Sequence, residues 1–145
     1  MAATYFSQFA AFTPNPSARF NAQLAALAQH QNWSKAEKKQ RRGEAIEAEF
    51  HDLYGTDYGR LDKWQELCQD VGVDAVPSTV GGCKKALKTA MVNIVNLIDH
   101  KRTGAPLKQF GSYKEFRKYT MDGRTLAKEK AKRNAFLRVL LRVVV

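Results

Sequence analysis

VGGCKKALKTAMVNIVNLIDHKRTG, residues 80–104, decides the fold class. At about 100° of turn per residue, Cys83, Leu87, Ala90, Ile94, Leu97 and Ile98 share about 100° of arc, with Lys84, Lys85, Lys88, Asn96 and Asp99 opposite. Val80 and the valines of 92–95 are β-branched and would suit a strand. Yet Ser78 stands ready as an N-cap, and His100-Lys101-Arg102 before Gly104 supplies the cations that a helix C-terminus favours. The pattern predicts one long amphipathic helix over about 79–102, with a cationic outer face.

The flanking segments follow the same period. Leu61, Trp64, Leu67, Cys68 and Val71 mark a helix over about 58–70, closed by Gly72. Upstream, Ser34-Lys35-Ala36-Glu37 is a capping box, in which the hydroxyl and carboxylate would satisfy free backbone donors. The helix it opens runs to about Tyr54. Its polar first half, KAEKKQRRGE, is expected to project into solvent, while Ile46, Phe50, Leu53 and Tyr54 dock. Asn15-Pro16 is expected to cap a helix carrying Phe20, Leu24 and Leu27. Before it, Phe6, Phe9 and Phe12 recur every third residue and suggest a pinned aromatic arm over 1–15.

Downstream, APLKQFG at 105–111 reads as a linker before a basic C-terminal helical hairpin. Ser112-Tyr113-Lys114-Glu115 is a second capping box, with Phe116 and Tyr119 facing inward. A last helix spans about 125–141; only the final valines, 143–145, could pass for a strand. The expectation is an all-α, single compact helical domain of five to seven helices. Its core contains Phe20, Leu24, Leu27, Phe50, Leu53, Leu61, Trp64, Leu67, Leu87, Ile94, Leu97 and Phe116.

The 145 residues suit one domain, and 44% hydrophobic with 26% charged residues is a globular composition. The formal net charge of +10 is unevenly spread. Residues 1–82 hold eight Lys and Arg against ten Asp and Glu; residues 83–145 hold sixteen against four. A chain so charged is drawn to polyanions through its second half.

Chemistry of the catalytic kind is not signalled. His30, His51 and His100 stand singly, with no HExxH and no His/Cys pair at ligand spacing, so neither a metal nor a cofactor is expected. The glycines at 81–82 and 55–59 lack the lysine and hydroxyl of a phosphate-binding loop. Glu44, Glu47, Glu49 and Asp52 follow KKQRR and read as charge pairing on a solvated helix. Cys68 and Cys83 read as small core residues of a reducing compartment. The start has no basic segment before its short apolar run, so a cytosolic or nuclear chain is expected.

What remains is a non-enzymatic binding module. The expected nucleic-acid contacts are Lys84, Lys85, Lys88, Lys101, Arg102, Lys128, Lys132 and Arg133, non-specific because no known reading motif is matched. The alternative is a protein-interaction module, with an acidic protein partner or a homodimer formed through Phe136, Leu137, Leu140 and Leu141. That apolar face begins only near residue 136, and two turns are too short to anchor the chain on a membrane.

Several phrases together resemble a group of small, mostly uncharacterised fungal proteins: LDKWQELC at 61–68, VGVDAVPSTVGGCKKALKTAMVNIVNLIDHKRTG at 71–104, SYKEFRKYT at 112–120, and the close LRVLLRVVV. The resemblance covers about 40–145. Asn96 stands where that group often has Asp, and a Phe-Pro pair after Tyr119-Thr120 is missing. The group carries no established activity, so the resemblance implies no functional residue.

Overall fold

The computed structural model describes residues 5–125 and 134–141. After a 3₁₀ turn at Tyr5–Gln8 come α1 (Phe20–Gln31), α2 (Lys35–Tyr54), α3 (Leu61–Asp70), α4 (Val80–Lys88), α5 (Ile94–Thr103), α6 (Tyr113–Met121) and α7 (Ala135–Leu140). Among the described residues there is no strand. The all-α expectation holds, with seven α-helices among the described residues.

The core forms where α2, α3, α4, α5 and α7 converge. Ala45, Ile46, Phe50 and Tyr54 of α2 meet Trp64, Leu67 and Cys68 of α3, Cys83 and Leu87 of α4, and Leu97 and Ile98 of α5. Phe136 of α7 enters among Trp64, Tyr58 and Tyr54, with ring centroids 4.5, 5.3 and 5.9 Å away. Leu53 and Leu61 are partly buried against this core, while Phe116 is buried apart from it.

Residues 80–104 are two helices, not the one their periodicity suggests. α4 stops at Lys88, and α5 restarts at Ile94 behind Asn93, whose Oδ1 accepts from Asn96 N at 2.9 Å. Asn93 is drawn out of a helical course because its amide also donates to Thr120 Oγ1 and Arg124 O, both at 3.1 Å. A short polar side chain competes readily with helix in this way. The restart changes the register, so Asn96 and Asp99, expected outside, are buried. Asp99 Oδ1 accepts from Phe20 N at 2.7 Å and so caps α1 from across the core. Asn96 holds the following loop, accepting from Lys108 N at 2.7 Å and donating to Pro106 O at 3.2 Å.

The two capping serines supply the serine half of the box that their signature predicts. Ser34 Oγ accepts from Glu37 N at 3.1 Å and Ser112 Oγ from Glu115 N at 3.2 Å. Neither glutamate returns the contact, for Glu37 pairs with Arg41 and Glu115 accepts from Gly111 N.

At the N-terminal side, Asn15-Pro16 forms a turn rather than a helix start. Asn15 accepts from Ser17 N through its side chain and from Ala18 N through its carbonyl, each at 3.0 Å. The aromatic arm is pinned to α2: Tyr5 and Phe6 are buried, and Phe9 lies edge-on to Trp33 at 5.6 Å. The first half of α2 therefore does not project freely. Arg41 lies 5.1 Å over Trp33 and 5.9 Å over Phe9, and Arg42 donates to Asn21 and to the carbonyls of Gly123 and Thr125.

Candidate functional site

Of the cations singled out in the second half, α4 keeps two fully outward. Lys85 and Lys88 are exposed, three residues apart on one face, and no described residue pairs with either. Their place in the last turn of α4 also suits the helix dipole. Lys84 is half-buried instead, its Nζ 5.3 Å over the Trp64 ring.

Lys101 and Arg102 correct the sequence reading, because both are held by carboxylates within the fold. Lys101 Nζ lies 3.0 Å from Asp70 and 3.6 Å from Glu66. Arg102 bridges Glu49 Oε2, at 2.6 Å, and Asp52 Oδ2. Glu49 is only 3% exposed, and an ionised carboxylate so placed requires a counter-charge. Burial pushes its pKa up, while the Arg102 guanidinium draws it back down. Glu49 and Asp52 thus anchor α5 to α2, while Glu44 keeps the expected pairing along its own helix with Arg41. Lys128, Lys132 and Arg133 lie outside the described residues.

Phe136, Leu137 and Leu140 are likewise not where a homodimer could use them. They are buried in the chain's own core, and Leu141 is partly buried against it. Asn134 explains the docking: its Oδ1 accepts from Phe136 N and Leu137 N, starting α7 so that all three apolar side chains turn inward.

A second cationic surface was not read from the sequence. Phe110, Tyr113, Phe116 and Tyr119 recur every third residue, interleaved with Lys108, Lys114, Arg117 and Lys118. Phe116 is 2% exposed and serves as an inner support, with Phe110 edge-on at 5.3 Å and Tyr113 at 6.1 Å. Phe110 also meets Tyr119 at 5.4 Å. Lys108 Nζ sits 5.9 Å from the Phe110 centroid and 5.5 Å from that of Tyr119, and the Arg124 guanidinium lies 4.1 Å over Tyr119. Together they line an open groove of about 990 Å³. Lys114 and Lys118 on its rim are exposed, and no described residue pairs with them.

The groove is set in place by polar contacts from three helices. Asn96 and His100 of α5 hold the 105–111 segment, His100 Nδ1 lying 2.7 Å from Ala105 O. Asn93 fixes Thr120 and Arg124, and Asn21 Nδ2 donates to Gly123 O at 3.0 Å. Arg42 Nη2 donates to the same carbonyl at 2.9 Å. The segment read as a linker is therefore one wall of a built surface. The three-residue aromatic spacing was the available signal, and it is weak because its first ring, Phe110, precedes the helix.

Among the described residues, no group of three or more His, Cys, Asp or Glu is placed to hold a metal ion. No described helix is long and apolar enough to cross a membrane. Cys68 and Cys83 are buried side by side between α3 and α4. Burial, with Cys83 adjacent, pushes the Cys68 thiol up to about 12, so it is not a thiolate at neutral pH.

Fold and site define an all-α protein whose second half presents lysines that no described residue pairs with and a groove of aromatic rings among cations, with the carboxylates of Glu115 and Asp122 also in its lining. No family model, no curated protein and no solved structure matches this chain.

Proposed function

We propose that the protein is a non-enzymatic nucleic-acid-binding module whose second half meets the phosphate backbone. The observation that carries this reading is the contrast among its cations. Lys101 and Arg102 are taken up by Asp70, Glu66, Glu49 and Asp52, whereas Lys85, Lys88, Lys114 and Lys118 point outward with no described partner. Cations held on helices without internal partners are free to displace condensed counterions from phosphates, and that release drives non-specific binding. The contacts are made from helix surfaces to the backbone, so little sequence preference is expected.

A salt-titrated anisotropy assay with a labelled oligonucleotide tests it. The affinity should fall steeply with salt, by a slope of about −0.7 to −0.9 per phosphate neutralised. Lys85→Glu/Lys88→Glu and Lys114→Glu/Lys118→Glu should each weaken binding and flatten that slope, while acidic-protein competitors should displace the oligonucleotide poorly. A flat salt response, or binding indifferent to all four reversals, would sink the reading in favour of a protein partner.

A further inference from the structure

Phosphates alone would be served by Lys85 and Lys88 on the convex face of α4. The groove beside α6 offers aromatic surface as well. Phe110 and Tyr119 are each only partly buried, and Met121 at the same edge is 50% exposed. A purely structural aromatic cluster would bury its rings, as Phe116 does, rather than leave them between Lys108, Lys114 and Lys118. Resting on the nucleic-acid reading above, we infer that this groove takes unpaired nucleotides. The bases stack on the accessible side of Phe110 and on the Arg124 guanidinium that covers Tyr119, and the flanking phosphates meet Lys114 and Lys118.

The chemistry separates this ligand from a duplex. A duplex encloses its base faces, so recessed rings would meet nothing but sugar and phosphate; a single strand exposes those faces, and each base stacked on an aromatic ring adds affinity without sequence preference. Arg124 lies 4.1 Å over Tyr119 and extends the platform, since guanidinium planes stack bases as rings do. Edge-on contacts from Phe116 and Phe110 stiffen the rings from behind. Asn93 and Asn96 fix the two ends of the segment, so little ordering remains to be done when a strand binds.

The test compares 12-nucleotide single-stranded DNA and RNA with a duplex of the same sequence on the full chain, with inorganic polyphosphate as a base-free competitor. One or both single strands should bind at least about five-fold tighter than the duplex, and polyphosphate should compete less well per phosphate. Phe110→Ala should cost the single strand about five-fold or more and the duplex little, the range set by one lost base stack. Because Phe110→Ala could disturb the fold, intermolecular NOEs from base protons to the Phe110 ring and the Arg124 side chain are to be read on the unaltered chain, where they are expected. Duplex and polyphosphate binding as well as single strands, with no such NOEs, overturns the groove while leaving salt-dependent binding through Lys85 and Lys88 intact. Absence of any salt-dependent binding overturns both.

Discussion

Replacing Arg102 by methionine removes the guanidinium that faces Glu49 and Asp52. The side chains of these two acids are 4% and 13% exposed and that of Arg102 23%, so all three are shielded from water. With charge centres about 4 Å apart and an effective dielectric near 20, each attraction is about 4 kcal/mol before desolvation and the repulsion between the two acids are subtracted. The net cost of leaving the acids unpaired is then about 3–5 kcal/mol, the range for removing one partner of a buried pair. For a chain of this length that lowers Tm by about 10–15 °C.

The deficit should depend on pH with a definite sign. Burial already raises the Glu49 pKa, and Arg102 opposes that rise. Without Arg102 the folded pKa climbs further above the unfolded value. A carboxyl raised on folding contributes its stability below the unfolded pKa and loses it as pH rises through the folded one. The gap between variant and unaltered protein should therefore widen from about pH 4 to pH 7. Thermal melts followed by circular dichroism at both pH values measure it. Oligonucleotide affinity, measured below the variant's melting range, should be unchanged. A Tm loss under about 3 °C, or one equal at both pH values, refutes the assignment of Arg102 to an internal ion pair.

Two further outcomes follow from the packing. Phe136→Ala empties the space among Tyr54, Tyr58 and Trp64 and should cost about 3–5 kcal/mol in urea denaturation, with no concentration-dependent change in mass by light scattering. A dimer lost on this substitution would return Phe136 to an interface. Gly81→Ala and Gly82→Ala should move stability in opposite directions. A Cβ at Gly81 meets nothing within 4 Å and gains helix propensity of up to about 1 kcal/mol. One at Gly82 would fall 2.8 Å from Pro77 Cβ and 2.9 Å from the Thr79 Oγ1 that caps α4, so equal melting temperatures for the two would contradict the described start of α4.

The parts of the fold legible in the sequence are those fixed within one helical turn. Ser34 and Ser112 cap as read, and the apolar periods of α3 and α4 locate Trp64, Leu67, Cys83 and Leu87 in the core. What the sequence hides is set across long separations. Asn93 breaks the helix of 80–104 partly through partners 27 and 31 residues away. The α1 cap comes from Asp99, 79 residues from the amide it accepts. The same holds at the site. Lys101 and Arg102 look like a basic last turn facing water until α2 and α3 bring Glu49, Asp52, Glu66 and Asp70 against them. Lys85 and Lys88 stand outward as the helical period places them, since no described residue claims them. The groove was hidden in a stretch that local rules class as linker, since distant partners, Asn96 and His100 among them, help turn it into a wall.

The most direct test of the central claim is an amide chemical-shift map of the full chain titrated with a 12-nucleotide single strand at low and high salt. Saturable shifts centred on Lys85, Lys88, Lys108, Lys114, Lys118 and Tyr119 are expected to fade as salt rises, with the amides of Lys101 and Arg102 still. Shifts absent from both surfaces, or confined to the acidic first half and unmoved by salt, would contradict it.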